Sequence, residues 1–129
     1  MIDRKRFYDT VRPLFTGRRM SKSQVDGMEA VLVAYEQKYS RIGLKSLAYC
    51  FATDFHETAQ TMQPIEEYGH GAGHPYGVPD PETGQTYYGR GYVQLTWKAN
   101  YQKMQDILGV PLVTDAALAL NPEYAAAIL

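Results

Sequence analysis

Cysteine is almost missing from this 129-residue chain. The single Cys50 has no partner for an internal disulfide and cannot build a zinc site alone. No apolar run approaches the roughly 20 residues of a membrane-spanning helix, so an integral membrane protein is not expected. The opening MIDRKRFYDT is charged and no apolar h-region follows it, so no secretory signal is recognised. Internal repeats and low-complexity tracts are absent, and 45% hydrophobic residues is too many for a disordered tail. Tryptophan occurs once and phenylalanine four times, against 11 tyrosines. That imbalance points to aromatic surface with polar tips, of the kind that grips sugars, bases or peptides. The length suits one domain with one core.

Neither sign of charge dominates, the formal net charge being -1, but the charges are unevenly spread. Residues 1–45 carry ten Lys/Arg and five Asp/Glu, whereas residues 46–129 carry three and nine. Such a split fits either a basic patch for a polyanion or, more simply, a solvated pair of N-terminal helices. The basic residues are scattered and form no recognition motif, so nucleic acid is not an expected partner.

Ser21-x-x-Gln24 reads as a capping box opening a helix whose apolar face is Val25, Met28, Leu32 and Tyr35, running to about Lys38. A second helix follows Gly43, with Leu44, Leu47, Ala48, Phe51, Ala52 and Phe55 as a continuous stripe expected at the centre of the core. Phe7, Val11, Leu14 and Phe15 suggest a short N-terminal helix bent or ended near Pro13. Residues 64–92 then hold seven of the eleven glycines, four of the seven prolines and five tyrosines. A stretch of that length is long for a plain connection and suggests a functional loop. Val93–Trp97 alternates like a short strand. A helix resumes near Lys98, with Tyr101, Met104, Ile107 and Leu108 inward and Gly109 as its C-cap. Asn121-Pro122-Glu123 is a well-formed helix start. The expected fold is therefore mainly α, with a Gly/Tyr-rich loop or small β element between helices.

His56-Glu57 lacks the second histidine of a zinc motif, because Gln60 stands where it would be. His70 and His74 lie among glycines, where a helix presenting both is implausible, so no metal is expected. Cys50 is expected to pack as a small hydrophobe. Carboxylates are the better lead. Glu57 falls near the end of the second helix and shares a face with Cys50, Thr53 and Asp54. Partial burial there, the negative helix end and a nearby Asp54 would each raise its pKa. A protonated glutamic acid is what protonates a leaving glycosidic oxygen. Nine residues on, Glu66-Glu67 lies in a polar loop where a carboxylate stays ionised. Two carboxyls in contrasting environments form the pair expected for glycoside hydrolysis. The plainer alternative is a solvated helix end and an acidic turn.

Phe55-His56-Glu57-Thr58, the run Tyr87-Tyr88-Gly89-Arg90-Gly91-Tyr92-Val93-Gln94-Leu95-Thr96-Trp97, and Asn100-Tyr101 resemble glycoside hydrolase family 19. Because Gln63–Gly69 follows the His-Glu-Thr motif directly, the variant resembles phage and prophage endolysins more than plant chitinases. The resemblance covers roughly residues 20–129. It implies an α+β lysozyme-like fold, with helices around a cleft. It also implies that residues 1–129 form a single catalytic domain, short of the C-terminal helices that follow an Asn-Pro-Glu start in the family.

The same resemblance implies Glu57 as general acid and Glu66 as second carboxylate, with Glu67 the alternative and otherwise a substrate contact. It implies Thr96 as a catalytic hydroxyl holding the attacking water, and Gln94 and Asn100 as sugar-binding amides. His56 and Thr58 would position the acid or the substrate, and Tyr88, Arg90 and Trp97 would line the cleft. Tyr88 and Trp97 have packing under the loop as their alternative, and Arg90 has pairing with a loop acid. The implied activity is inverting hydrolysis of a β-1,4 bond next to N-acetylglucosamine, without a cofactor. The implied partner is peptidoglycan, or chitin in the alternative reading. A lysozyme-type endolysin would be made in a bacterial host's cytoplasm and act at the cell wall or periplasm. Its release would depend on a separate holin-type protein. A saccharide-binding remnant without activity is the third reading.

Overall fold

The computed structural model describes all of residues 1–129. Asp3 caps a first helix, α1 (Arg4–Val11), by accepting from Arg6 N. Pro13 then forces a short 3-10 turn over Arg12–Leu14. Ser21 opens α2 (Lys22–Ala34) with a complete capping box: Gln24 N donates to Ser21 Oγ (3.1 Å), and Ser21 N to Gln24 Oε1 (2.8 Å). An N-cap of this kind stabilises a helix by about 1 kcal/mol. A π-helical turn extends the helix over Tyr35–Tyr39, so the expected end near Lys38 holds. Met28, Val31, Leu32 and Tyr35 are its buried face. Helix α3 spans Gly43–Glu57, α4 spans Lys98–Leu108 with Gly109 left-handed at its C-cap, and α5 spans Pro122–Ile128. Asn121 caps α5 by accepting from Glu123 N (2.9 Å). No helix is long and apolar enough to cross a membrane.

The β structure is confined to two residue pairs. Strand β1 (Ile65–Glu66) runs antiparallel to β2 (Arg90–Gly91), with Ile65 opposite Gly91 and Glu66 opposite Arg90. The long Gly/Tyr-rich loop leaves the helical body at β1 and returns at β2. The expected strand over Val93–Trp97 does not form. Gly91 at φ +87° and Gln94 at φ +53° reverse the chain, and Leu95 comes back to bond Arg90 in both directions (2.8 and 3.2 Å). Alternating side chains there serve a tight turn instead.

Two larger apolar clusters carry the fold. Val31, Leu32, Tyr35, Leu47, Tyr92, Ala125 and Ala126 join α2, α3 and α5. Tyr87, Leu95, Tyr101, Leu112, Val113, Ala116 and Ala119 pack beneath the loop and α4. A smaller one holds Phe15, Met28 and Met62. The expected core stripe of α3 is displaced. Leu47 is buried, Phe51 and Phe55 are half-buried, and Leu44, Ala48 and Ala52 are exposed. The helix turns Leu47, Asp54 and the following Thr58 inward, so its apolar stripe straddles the boundary with solvent. Ile107 on α4 is likewise exposed, not inward.

Candidate active site

Glu57 is the last residue of α3, and the chain leaves it through an irregular turn held against α2. Ala59, Gln60 and Met62 all have positive φ (+49°, +68° and +54°), a conformation that costs a non-glycine residue free energy. The surroundings impose it. Gln24 Nε2 donates to the Gln60 carbonyl (2.8 Å), and Gln63 Nε2 donates to Ser23 O. Met62 is buried, and its carbonyl would lie 1.6 Å from a Cβ placed on Gly27. Only glycine at position 27 lets the turn approach α2 so closely. Thr58 closes the turn from inside: its Oγ1 donates to the Asp54 carbonyl (2.7 Å) and accepts from Met62 N (3.0 Å). It is fully buried, so the expectation that Thr58 meets substrate is corrected; it shapes the path from Glu57 to β1.

The expected partial burial of Glu57 is also corrected. Its side chain is exposed, and so is His56. The buried carboxyl on this helix is Asp54, fully enclosed with neither oxygen hydrogen-bonded. Thr58 lies beside it, but the single hydroxyl proton is committed to the Asp54 main-chain carbonyl. Burial pushes the Asp54 carboxyl up to about 7. The enclosed Tyr92 phenol is driven well above its ordinary range, first by burial and then by the nearby Asp54 charge.

Glu66 stands in a different setting. It is half-exposed on β1, directly across from Arg90. Tyr88 Oη donates to Glu66 Oε1 (2.9 Å), Arg90 Nε lies 3.6 Å from the same oxygen, and His70 Nε2 lies 3.3 Å from Oε2. Arg90 is itself buried, with its guanidinium carbon 3.7 Å from the Tyr88 ring centre. Its Nη1 donates to Thr86 O (2.7 Å) and to Tyr101 Oη (3.1 Å). Arg90 therefore cannot reach a substrate, which corrects that assignment; it faces Glu66 from behind. Burial, then the hydrogen bond from Tyr88 to Glu66, push the Tyr88 phenol up. Burial likewise moves Tyr101 to about 12.

The neighbouring Glu67 carboxylate is occupied by the loop. Oε2 accepts from Gly89 N (3.0 Å) and Oε1 from Tyr76 Oη (3.3 Å), while Glu67 N donates to Gly89 O (2.7 Å). Gln94 Nε2 donates to Ile65 O (3.0 Å) and Gly91 O (3.2 Å), so only its Oε1 remains for a ligand. Thr96 Oγ1 donates to Gln94 O (2.8 Å), leaving lone pairs to accept. Asn100 is exposed, with Nδ2 donating to Thr96 O (2.8 Å). Trp97 is 49% exposed at φ +74° and packs edge-on against Tyr76, whose ring stacks on His74.

Three contributors are not evident from the sequence. His70 stands out there only as a possible metal ligand, yet it lies four positions from Glu66 and contacts its carboxylate. Tyr76 fixes Glu67, and Tyr101 anchors Arg90 and donates to Tyr88 O (2.9 Å). Two surface concavities lie elsewhere. One is between α2 and α5 around Val33 and Ala127, and an apolar one is lined by Tyr35, Leu47, Cys50 and Leu129. Neither includes a residue of the carboxylate cluster.

Comparison with known proteins adds relatives to this geometry. Chitinase C from Streptomyces griseus HUT6037 superposes with a TM-score of 0.57 at 27% identity, covering 94% of this chain and 50% of that one. A bacterial family 19 chitinase, described as differing from plant enzymes, superposes with a TM-score of 0.53 at 32% identity, covering 92% and 60%. An endochitinase of Arabidopsis thaliana is 46% identical over 43 residues, which is 33% of this chain and 15% of that protein. No protein-family model matches. The chain thus spans 50 to 60% of the length of the two solved relatives, and its fold is that of a mainly α, lysozyme-like chitinase.

Proposed function

We propose that this chain carries the two-carboxylate site of an inverting glycoside hydrolase acting on β-1,4-linked N-acetylglucosamine polymers. The observation that carries the reading is the contrast between its carboxyls. Glu66 accepts from Tyr88 and faces Arg90 and His70 across the β1–β2 pair, which suits an ionised base. Glu57 lies nine residues earlier at a helix end, exposed to an incoming substrate. In the reaction, the Glu57 proton passes to the bridging oxygen as the C1–O bond breaks. A water oxygen bonds to C1 from the opposite face and yields its proton to Glu66. Such a pair works with its carboxyl groups roughly 6.5–9.5 Å apart, leaving room for the water. Thr96 Oγ1, with lone pairs to spare, accepts from that water, and Gln94 Oε1 and Asn100 meet amide or hydroxyl groups of the sugar. The occupied carboxylate of Glu67 favours Glu66 as the base.

The substrate we favour is peptidoglycan, as for a lysozyme-type endolysin, because the Gln63–Gly69 segment follows the His-Glu-Thr motif in the manner of that group. Chitin is the second reading, favoured by the solved and curated relatives, which are chitinases by name. Mass-spectrometric product analysis separates them. The 129-residue chain and its Glu57→Gln variant are incubated with purified peptidoglycan and with N-acetylglucosamine hexamer. Muropeptides released by the wild type alone support the endolysin reading, and shortened oligomers alone support chitinase. Saccharide binding without products from either would make the chain a binding remnant. Equal product from Glu57→Gln would remove Glu57 as the acid.

A further inference from the structure

Glu66 has two carboxylate oxygens, and they are held unequally. Oε1 accepts from Tyr88 Oη at 2.9 Å and faces Arg90 Nε at 3.6 Å. Oε2 is met by one group alone, His70 Nε2 at 3.3 Å. The terminal torsion of a glutamate is broad, so fixing one oxygen leaves the carboxylate free to rock about its last bond. A donor on the second oxygen removes that freedom. The imidazole is itself held. It stacks on Tyr88 with ring centres 5.1 Å apart and planes at 19°, and its backbone sits at φ +51°, anchored by His70 N donating to Glu67 O (3.1 Å). A non-glycine residue in the left-handed region points to a local demand that outweighs its cost.

We propose that His70 is a positioning residue for Glu66, orienting the carboxylate through Oε2 while leaving that oxygen a free lone pair for the attacking water. This rests on the reading of Glu66 as the base. The charged and titratable groups around the pair are Arg90, Tyr88 and Tyr101 from the β2 side and Glu67 from β1, the last committed to Gly89 and Tyr76. His70 Nε2 can present a proton to Oε2 at 3.3 Å either as the neutral tautomer protonated there or as the imidazolium, so its service does not require a charge. A carboxylate offers about four acceptor sites, and the contacts here leave room for water on Oε2.

Two substitutions separate the ring from its donor. His70→Phe keeps the stack on Tyr88 and deletes the N–H, whereas His70→Gln keeps an N–H at similar reach and deletes the ring. On the polymer that the wild type cleaves, His70→Phe should lower kcat about tenfold, within the span general-base alignment commands, with KM inside twofold. His70→Gln should recover kcat to within about threefold of wild type. A wild-type kcat in His70→Phe, a change confined to KM, or equal losses in both variants would overturn the proposal. Glu66→Gln run alongside separates the two levels. Full activity there defeats the base reading itself, whereas an inactive Glu66→Gln beside an unimpaired His70→Phe defeats only the role of His70. A readout independent of turnover is the imidazole 15N spectrum. Glu66→Gln should move the His70 Nε2 resonance and Glu67→Gln should leave it in place; an unmoved signal in Glu66→Gln would also overturn the proposal.

Discussion

The end of α3 and the β1–β2 pair each present a carboxylate, and they are built on opposite plans. On β1, the half-exposed Glu66 is contacted by Tyr88, Arg90 and His70, and behind them Tyr101 and Thr86 hold the arginine. At the end of α3, effort goes into the backbone. Three positive-φ residues, a buried threonine and a close approach at Gly27 fix the turn, while Glu57 itself stays exposed. A base that must remain ionised and aimed benefits from donors on its oxygens. An acid that must gain and deliver a proton benefits from their absence, with a substrate completing its surroundings.

The largest expected effects test that division. Glu57→Gln and Glu66→Gln should each lower kcat/KM by about a thousandfold or more, whereas Glu67→Gln should cost less than about fivefold, because an amide still accepts from Gly89 N. Comparable losses at positions 66 and 67 would erase the distinction between the two acids. Next comes the support behind Glu66. Arg90→Met leaves the Thr86 carbonyl and Tyr101 hydroxyl without their donor, so thermal melts should show a loss of about 2–3 kcal/mol and assays at least a tenfold lower kcat. An unchanged melt would mean that the buried guanidinium is not what holds this region.

An effect on stability alone belongs to Asp54. With its folded carboxyl raised to about 7, the native state binds more protons than the unfolded chain across the window from about 4 to 7. Stability should therefore fall as pH rises through that window. Asp54→Asn should abolish the trend, melting about as the wild type does at pH 4 and about 4 kcal/mol more stably at pH 8. A variant no more stable than wild type at pH 8 would contradict the enclosed carboxyl. The smallest effect concerns Trp97. Its half-exposed ring suits stacking on a sugar, so Trp97→Ala should raise KM a few-fold, roughly 1 kcal/mol, with kcat nearly unchanged.

Much of the framework was legible in the residues. The capping box at Ser21, the break at Pro13, the Gly109 cap and the Asn-Pro-Glu start are local signals whose physics does not depend on the rest of the chain, and each stands where expected. Elements governed by distant contacts were less legible. Val93–Trp97 alternates like a strand, but a return hydrogen bond to Arg90 makes it a turn. The α3 stripe has the pattern of a core, yet which side faces inward is decided by α2 and α5: Asp54 and Thr58 turn inward, while Ala48 and Ala52, expected inward, are exposed. At the site, Glu57 and Glu66-Glu67 stood out as candidate carboxylates at a helix end and in a polar loop, and the family resemblance is what paired them. That Glu57 is exposed while Asp54 is enclosed was not legible, since helical offsets give a shared face but not how deeply it sinks. His70 escaped because it contacts Glu66 through a left-handed loop, where no helical or strand period applies.

Under the proposed mechanism, Glu66 activates water on the face opposite the proton donor Glu57. The anomeric configuration of the first product tests it most directly. Proton NMR during the earliest turnover of N-acetylglucosamine hexamer or peptidoglycan, whichever is cleaved, distinguishes newly formed α from β reducing ends. The α-anomer should appear first and the β-anomer only later by mutarotation; a β-anomer formed first would rule out attack by water on that opposite face.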